Sequence, residues 1–512
     1  MNTSEEILEQ KIAAILSEAD RMTLATSVDG NSSASSVFFA RDGEDLIFFT
    51  FNPTRKAEQI RVNPRVQAVI WPRGMEGIRG LQIEGLCFKI KDAQEIKKAH
   101  DLILQTTTAF KEFMDDPFLI KNKVVGYYRI KPTLIKYVDF YADEKFQFKE
   151  FPQNEWSAFK EALHAAGKRA LLWIRAVRAP FFTASIVPIL LGAVIAFGDL
   201  KHAGAAALWN WKFFWLTLIG GILAQAGTNL SNDYFDHTSR NDEYNKWFSP
   251  FNGGSRMIQA GLIRPYKILL AAVLAFATTL VIGFYLNARI TGSVLGNSPL
   301  LWIGILGVLL GMLYTWNPVR LGYHGLGELS IALGFGPIMV LGTHFVLTQP
   351  IVHNDLANWH YMRPLLASVP VAILIMLVVW INQFQDAPAD ARVGKNTWVV
   401  RLAKIQNNQI LYEGPFAYYV AFNVFSFAFI IFLAVLGVIR PELSTPYVLI
   451  ALLPAALLYK AVQWGREWLK AWSAPDSDRS RLPYELLKVN VSTIGLHFFT
   501  GILLIFAFWL GS

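Results

Sequence analysis

Sulfur and imidazole ligands are scarce in this 512-residue chain, which has one cysteine and nine histidines. The lone Cys87 excludes an intrachain disulfide and any cysteine-rich metal centre. Its place in an alternating strand pattern predicts a small core residue. The histidines, among them His202, His324, His344, His360 and His497, fall at no metal-ligand spacing and read as packing or interfacial residues. Residues 1–156 lack any apolar run able to cross a bilayer, and the start lacks a secretory signal, reading instead as a charged amphipathic helix over 1–20. Beyond residue 156 it is acid that runs short. Residues 1–156 hold 21 Lys+Arg against 23 Asp+Glu, the remainder 26 against 16. A basic excess confined to the apolar half argues for membrane orientation and against a nucleic-acid partner.

From about Leu171 onward, apolar runs of roughly 17–24 residues recur. About nine spans are predicted, near 180–198, 212–231, 267–287, 299–315, 326–347, 365–384, 415–438, 445–463 and 489–510. One set of connecting loops carries Arg240, Lys246, Arg256, Arg264, Arg320, Arg392, Lys395, Arg401, Lys404, Arg466, Lys470, Arg479 and Arg481, and the other set carries little beyond Lys201, Lys212, Arg289, Arg363 and Arg440. The positive-inside rule then places the N-terminal half on the cytoplasmic side of an inner (plasma) membrane. The expected division is a soluble domain over 1–156 and a helical membrane domain over 157–512.

In the soluble half, Met22–Ser27, Ser35–Ala40, Leu46–Thr50, Val66–Trp71 and Leu81–Ile90 read as strands, separated by Asp29-Gly30, Asp42-Gly43 and Gly74/Gly77. A helix from about Ala93 to Phe113 and a last strand, Val124–Ile130 ending at Lys131-Pro132, complete a small β-barrel with peripheral helices. Thr54-Arg55-Lys56 opens a helix running to Arg61. Paired cations, a hydroxyl and free amides at that terminus suit a phosphate group.

Chemistry concentrates in two acidic clusters, each at the end of an apolar run. The first is Asn232-Asp233-Tyr234-Phe235-Asp236, continuing to Asp242, with Asn229 one turn earlier on the same face. In the second, Asn382, Asp386 and Asp390 step by four. Carboxylates near a membrane cost roughly 2.5–3.5 kcal/mol at a helix centre and less towards the interface, so several gathered together call for a cation. Oxygen donors without His or Cys favour Mg²⁺ over zinc or copper. Two such sites facing one cavity, with Arg256, Arg392 and Lys395 close in sequence, point to a diphosphate leaving group and an allylic substrate. Pro388 interrupts the second cluster and predicts a kink or a fresh helix start before Asp390.

The membrane half, from about Trp173 to the C-terminus, resembles the UbiA superfamily of intramembrane prenyltransferases. The two Asp-rich motifs carry the likeness. Gly253-Gly254-Ser255-Arg256, Gly261-Leu262-Ile263, Tyr314-Thr315, Gly325-Leu326-Gly327-Glu328, Gly394-Lys395-Asn396-Thr397 and Val400-Arg401-Leu402 point to its 1,4-dihydroxy-2-naphthoate branch. The resemblance implies a transferase with nine transmembrane helices, polyprenyl diphosphate as donor and an aromatic acid as acceptor. Asn232, Asp233, Asp236, Asp386 and Asp390 would hold Mg²⁺ and diphosphate. Arg256, Arg392 and Lys395 would contact phosphate oxygens, while Tyr314 and Glu328 line the acceptor side.

Residues 1–150 resemble the pyridoxamine 5′-phosphate oxidase-like split barrels. The residues concerned are Thr54-Arg55-Lys56, Asn63-Pro64-Arg65-Val66, Leu81-Gln82-Ile83-Glu84-Gly85 and Tyr128-Arg129-Ile130-Lys131-Pro132-Thr133. This likeness implies FMN held by Thr50, Arg55, Lys56 and Gln82, and a homodimer through the barrel. Two other classes stay open on the sequence: a transporter with a soluble sensor, and a membrane-anchored flavin-dependent quinone reductase.

Overall fold

The computed structural model describes residues 3–52, 54–72, 79–106, 125–151, 167–249, 251–406, 409–474 and 482–512. They form two compact units. The first takes Met1–Ile174 with Met257–Arg264, the second Arg175–Arg256 with Pro265–Ser512.

The first unit is built on strands β1 (Arg21–Val28), β2 (Asn31–Asp42), β3 (Asp45–Phe51), β4 (Arg65–Ile70), β5 (Arg79–Lys89), β6 (Val125–Asp139) and β7 (Phe146–Glu150). They pair antiparallel in the order β3-β2-β1-β4-β5-β6-β7, and an additional β3–β6 ladder closes the first six into a barrel. Period-two alternation drives this. Along β1, Met22, Leu24, Thr26 and Val28 are the buried positions, and Met22 and Leu24 meet Phe39, Phe48, Ile83, Ile130 and Tyr137 in one core with Ile12 and Leu16 of helix α1 (Thr3–Glu18). Cys87 lies in that core, 1% exposed, and burial pushes its thiol above the ordinary value.

Two boundaries differ from expectation. The last predicted strand runs on past Lys131-Pro132 to Asp139, because the register shifts between Glu84 and Gly85, opposite Pro132. The hairpin partner β7 carries too little apolar alternation to be read from sequence. The predicted turn at Gly74/Gly77 and the stretch 107–113 of the helix expected to reach Phe113 lie outside the described residues; that helix, α3, is described over Ala93–Thr106.

Among the described residues, the second unit has eight helices long and apolar enough to cross a membrane: α4 (Ala179–His202), α5 (Trp211–Thr238), α6 (Pro265–Thr291), α8 (Gly327–Leu347), α9 (Met362–Arg392), α10 (Glu413–Ile439), α11 (Pro446–Ser473) and α12 (Leu482–Leu510). A shorter apolar helix, α7 (Pro299–Leu313), occupies the fourth predicted position. Ser298 caps it and Pro299 starts it. Helix α9 is 31 residues long and 72% buried over its most apolar window, which makes it the central post of the unit. It is continuous through Pro388, with no fresh helix start before Asp390. The proline sits within the last turn and a half, where it forfeits one backbone bond near a terminus that frays anyway.

Helix α8 contains a π-helical turn, Gly334–Ile338. A Cβ on Gly336 would fall 2.4 Å from the Ala372 Cβ of α9, so only glycine permits the two helices to approach here. At the N-terminal end of α9, Arg363 Nη1 donates to Asp199 (3.0 Å) and His344 Nε2 pairs with the other Asp199 oxygen (3.0 Å). Trp359 Nε1 donates to His344 Nδ1 (3.0 Å), which makes this buried histidine a packing residue, as expected.

Candidate active site

The acidic motifs come together at the C-terminal ends of α5 and α9. On α5, Asn229, Asn232, Asp233 and Asp236 share one face. Asp233 (3% exposed) accepts from Arg178 Nη2 at 2.6 Å and from the Ser255 amide at 3.2 Å. Asp236 (4%) accepts from Asn232 Nδ2 at 2.9 Å and from Lys395 Nζ at 3.2 Å. On α9, Asp390 takes a bond from Asn241 Nδ2 at 2.9 Å and lies 3.7 Å from Lys395 Nζ. Asp386 is held by Asn245 Nδ2 at 2.6 Å and Asn252 Nδ2 at 2.7 Å.

The connection from α5 to α6 therefore acts as a polar strap across both clusters. Gly254 lets it pass: φ is +75°, and a Cβ would sit 3.2 Å from Asp233 Oδ1 and from both Asp242 oxygens. Asp242, on that strap, is raised well above the ordinary carboxylate value, first by burial and then by Asp236 and Asp233. Accumulated negative charge of this kind is relieved by a bound cation.

These groups, Asp233 excepted, line a cavity of about 1120 Å³ whose walls include Arg178, Asn232, Asp236, Asp242, Asn252, Asp386, Asp390 and Lys395. A second cavity of about 940 Å³ is almost wholly apolar, lined by α5, α7 and α8. Both share Gln225, Thr228, Tyr314, Ile331 and Phe335, so the polar chamber adjoins the apolar one at a partly aromatic neck. Phe335 reaches the neck from the π-helical turn.

Not every predicted residue joins the walls. Arg392 is exposed and stacks on the Tyr244 ring at 3.8 Å, away from the cavity. Arg256 donates to the Asp242 carbonyl and covers the Phe248 ring, bracing the strap from behind. Lys395 is buried between Asp236 and Asp390. Arg178 and the strap asparagines Asn241, Asn245 and Asn252 escaped the sequence reading. Arg178 precedes the first span among Lys168, Arg169 and Arg175, where nothing in the sequence sets it apart, and isolated asparagines carry no periodicity. Among the described residues no three His, Cys, Asp or Glu side chains gather as a ready metal cage. The donor set nonetheless suits Mg²⁺, which binds through one or two carboxylates and completes its shell with water and phosphate oxygens.

In the barrel unit, Thr50 Oγ1 lies 3.3 Å from Thr54 Oγ1, and Thr54 caps helix α2 (Arg55–Val62). Arg55 is exposed and Lys56 half-buried, its ammonium pulled below the ordinary value by burial. Gln82 is placed elsewhere. Thr50 pairs with Gly126 and Gln82 with Lys136, ten residues further along β6, about 30 Å of strand. The Gly261 segment belongs to this unit, where Gln59 Nε2 donates to the Gly261 carbonyl (3.4 Å).

Comparison with known proteins fits this division. Residues 8–120 match the pyridoxamine 5′-phosphate oxidase family model. A putative pyridoxamine 5′-phosphate oxidase structure from Listeria innocua aligns over 25% of this chain and 97% of its own, with 23% identity and a TM-score of 0.22. A 2-carboxy-1,4-naphthoquinone phytyltransferase of Synechocystis is 28% identical over 47% of this chain and 69% of its own. A 1,4-dihydroxy-2-naphthoate octaprenyltransferase of Bacillus subtilis is 28% identical over 45% and 65%. The UbiA prenyltransferase family model matches residues 182–475, the span holding both acidic clusters and most of the lining of the two chambers. This integral-membrane chain, fused to an N-terminal barrel, belongs to the UbiA prenyltransferase family and is a prenyltransferase, which sets the transporter and reductase readings aside.

Proposed function

We propose that the chain transfers a polyprenyl group from its diphosphate to a 1,4-dihydroxy-2-naphthoate-like aromatic acid, with Mg²⁺, in prenylquinone (menaquinone-type) synthesis. The observation that carries this reading is the pair of chambers meeting at Tyr314 and Phe335. One is lined by carboxylates and cations, the other by apolar side chains. The diphosphate sits in the first, and the tail runs into the second.

Lys395 and Arg178 supply fixed positive charge where the departing diphosphate gathers negative charge. Asn232, Asp233, Asp236, Asp386 and Asp390 would hold Mg²⁺, which when bound neutralises the leaving group. The prenyl C1–O bond breaks and its electron pair leaves with diphosphate. The Tyr314 and Phe335 rings flank the neck where the allylic cation forms, and an aromatic face attracts such charge. The carboxylate-bearing ring carbon closes the new bond to C1, and loss of CO₂ returns electrons to the ring. The low-charge neck keeps water from intercepting the cation.

The test is prenyl transfer by purified full-length protein given 1,4-dihydroxy-2-naphthoate and a polyprenyl diphosphate, with Mg²⁺ or EDTA, and product read by mass. Product with Mg²⁺ and none with EDTA is expected. Diphosphate release without product would point to another acceptor, and product undiminished in EDTA would sink the metal role.

The same reading puts the barrel on the cytoplasmic side of the plasma membrane and gives it FMN. Thr50, Thr54, Arg55 and Lys56 at the α2 N-terminus suit the phosphate. The distance of Gln82 along the sheet favours a homodimer in which the second copy supplies it. Covalent linkage to a transferase suggests that the flavin keeps an oxidisable quinol reduced. Replacing Arg55 and Lys56 together by Ala should weaken FMN uptake at least about tenfold, measured by flavin fluorescence quenching, since hydrogen bonds to charged groups contribute about 1.5–3 kcal/mol each. Wild-type protein that takes up no FMN would remove the flavin.

A further inference from the structure

Two oxygens beside the polar chamber lack a hydrogen-bond partner among the described residues: Glu328 Oε2 and Gln383 Oε1. Glu328, in the first turn of α8, is 1% exposed. Its Oε1 accepts from Gln383 Nε2 at 2.8 Å and from the Trp398 amide at 2.9 Å. Gln383 lines the chamber from α9, three residues before Asp386. Because its NH₂ end is committed to the carboxylate, the orientation of the amide is fixed and its oxygen is the end left over. A buried acceptor with no donor is costly, so such an arrangement is made good by a ligand that brings one. Ile375, Val378 and Val379 extend the same wall as an apolar surface, and Lys395 and Asp386 line the chamber as well.

We infer that Gln383, oriented by Glu328, forms the acceptor subsite. Its Oε1 takes a hydrogen bond from a hydroxyl of the aromatic acceptor whose ring lies on Ile375, Val378 and Val379. This rests on the prenyl-transfer reading and adds which feature of the acceptor is recognised. Accepting from the hydroxyl pushes electron density into the ring as its carbon attacks, with no proton leaving the oxygen. Gln383 touches substrate, and Glu328 is a positioning residue.

The experiment compares 1,4-dihydroxy-2-naphthoate with 1-hydroxy-2-naphthoate and 4-hydroxy-2-naphthoate as acceptors for the full-length protein in Mg²⁺. Wild type should bind the dihydroxy ring about tenfold more tightly, read as the dissociation constant of the acceptor without prenyl donor, than one of the two monohydroxy rings, the worth of one hydrogen bond. Gln383→Leu should erase that preference and raise the acceptor KM about tenfold while leaving the KM for prenyl diphosphate unchanged. Glu328→Gln keeps an oxygen for both donors and should retain the wild-type preference, whereas Glu328→Leu should shift towards Gln383→Leu. An unchanged preference in Gln383→Leu, or donor and acceptor KM rising together, would overturn the subsite. Wild-type protein that releases diphosphate yet prenylates none of the three rings would overturn the naphthoate reading first, and the subsite with it.

Discussion

Asp236→Asn is expected to lower prenyl transfer about 10³-fold while the protein stays folded. The amide preserves volume and can still accept from Lys395, which sits 3.2 Å from the carboxylate. It cannot supply the charge that holds a divalent cation against a diphosphate. Metal-borne stabilisation of a leaving group amounts to several kcal/mol, and each 1.36 kcal/mol is a factor of ten in rate. Single-turnover rates at saturating donor and Mg²⁺ read this directly, with the melting temperature as the control for folding. Asp233→Asn should differ in kind. Arg178 would lose the partner it holds at 2.6 Å, so that variant should lose both rate and stability. Full activity in both would refute the metal role.

Lys395→Met should produce the other large effect, and one that depends on metal. The ammonium is buried between Asp236 and Asp390. Burial by itself would lower its pKa, but Asp236 and Asp390 outweigh that and hold it well above the ordinary value. A raised folded pKa means that the stabilisation is fully present below the unfolded lysine value, about 10.4, and is lost only as pH rises through the folded one. Wild type therefore keeps this contribution throughout the neutral range. Removing the cation leaves two carboxylates buried without it, a change that typically costs about 3–5 kcal/mol. In EDTA the variant should melt well below wild type; in Mg²⁺ the gap should narrow, because the metal replaces the missing charge. Turnover should fall in both conditions, since a thioether offers nothing to a phosphate oxygen. An equal stability deficit with and without Mg²⁺ would separate Lys395 from the metal site.

Much of this arrangement was legible because it is periodic. Asn232, Asp233 and Asp236 repeat at helical spacing, and so do Asn382, Asp386 and Asp390, so each face could be drawn before the helices were seen. The barrel strands were legible for the same reason at period two. Illegible were the contacts made by aperiodic chain. Asn241, Asn245 and Asn252 reach Asp390 and Asp386 from about 140 residues away in sequence, and nothing local marks them. Arg178 is one of several cations before the first span, and only its left-handed backbone (φ +54°) and the bond to Asp233 set it apart. Arg392 shows the converse, since closeness to Asp390 in sequence did not bring it to the cavity. Pro388 misled because the propensity argument applies to a helix interior, and this proline lies near an end.

The π-helical turn in α8 has an evolutionary and practical corollary. Such a turn amounts to one residue more than an α-helix needs, and each residue of a helix accounts for about 100° of rotation. Deleting a single residue within Gly334–Ile338 would let a regular helix form with both flanks, Glu328 and Met339–Leu347 included, close to their present facing, and would remove the bulge that carries Phe335. Phe335 could then face the neck only if the residues around it turned away. The chamber lining is thus tied to the length of one helix as much as to its side chains, and variation in residue count here would reshape the substrate path more than most point substitutions.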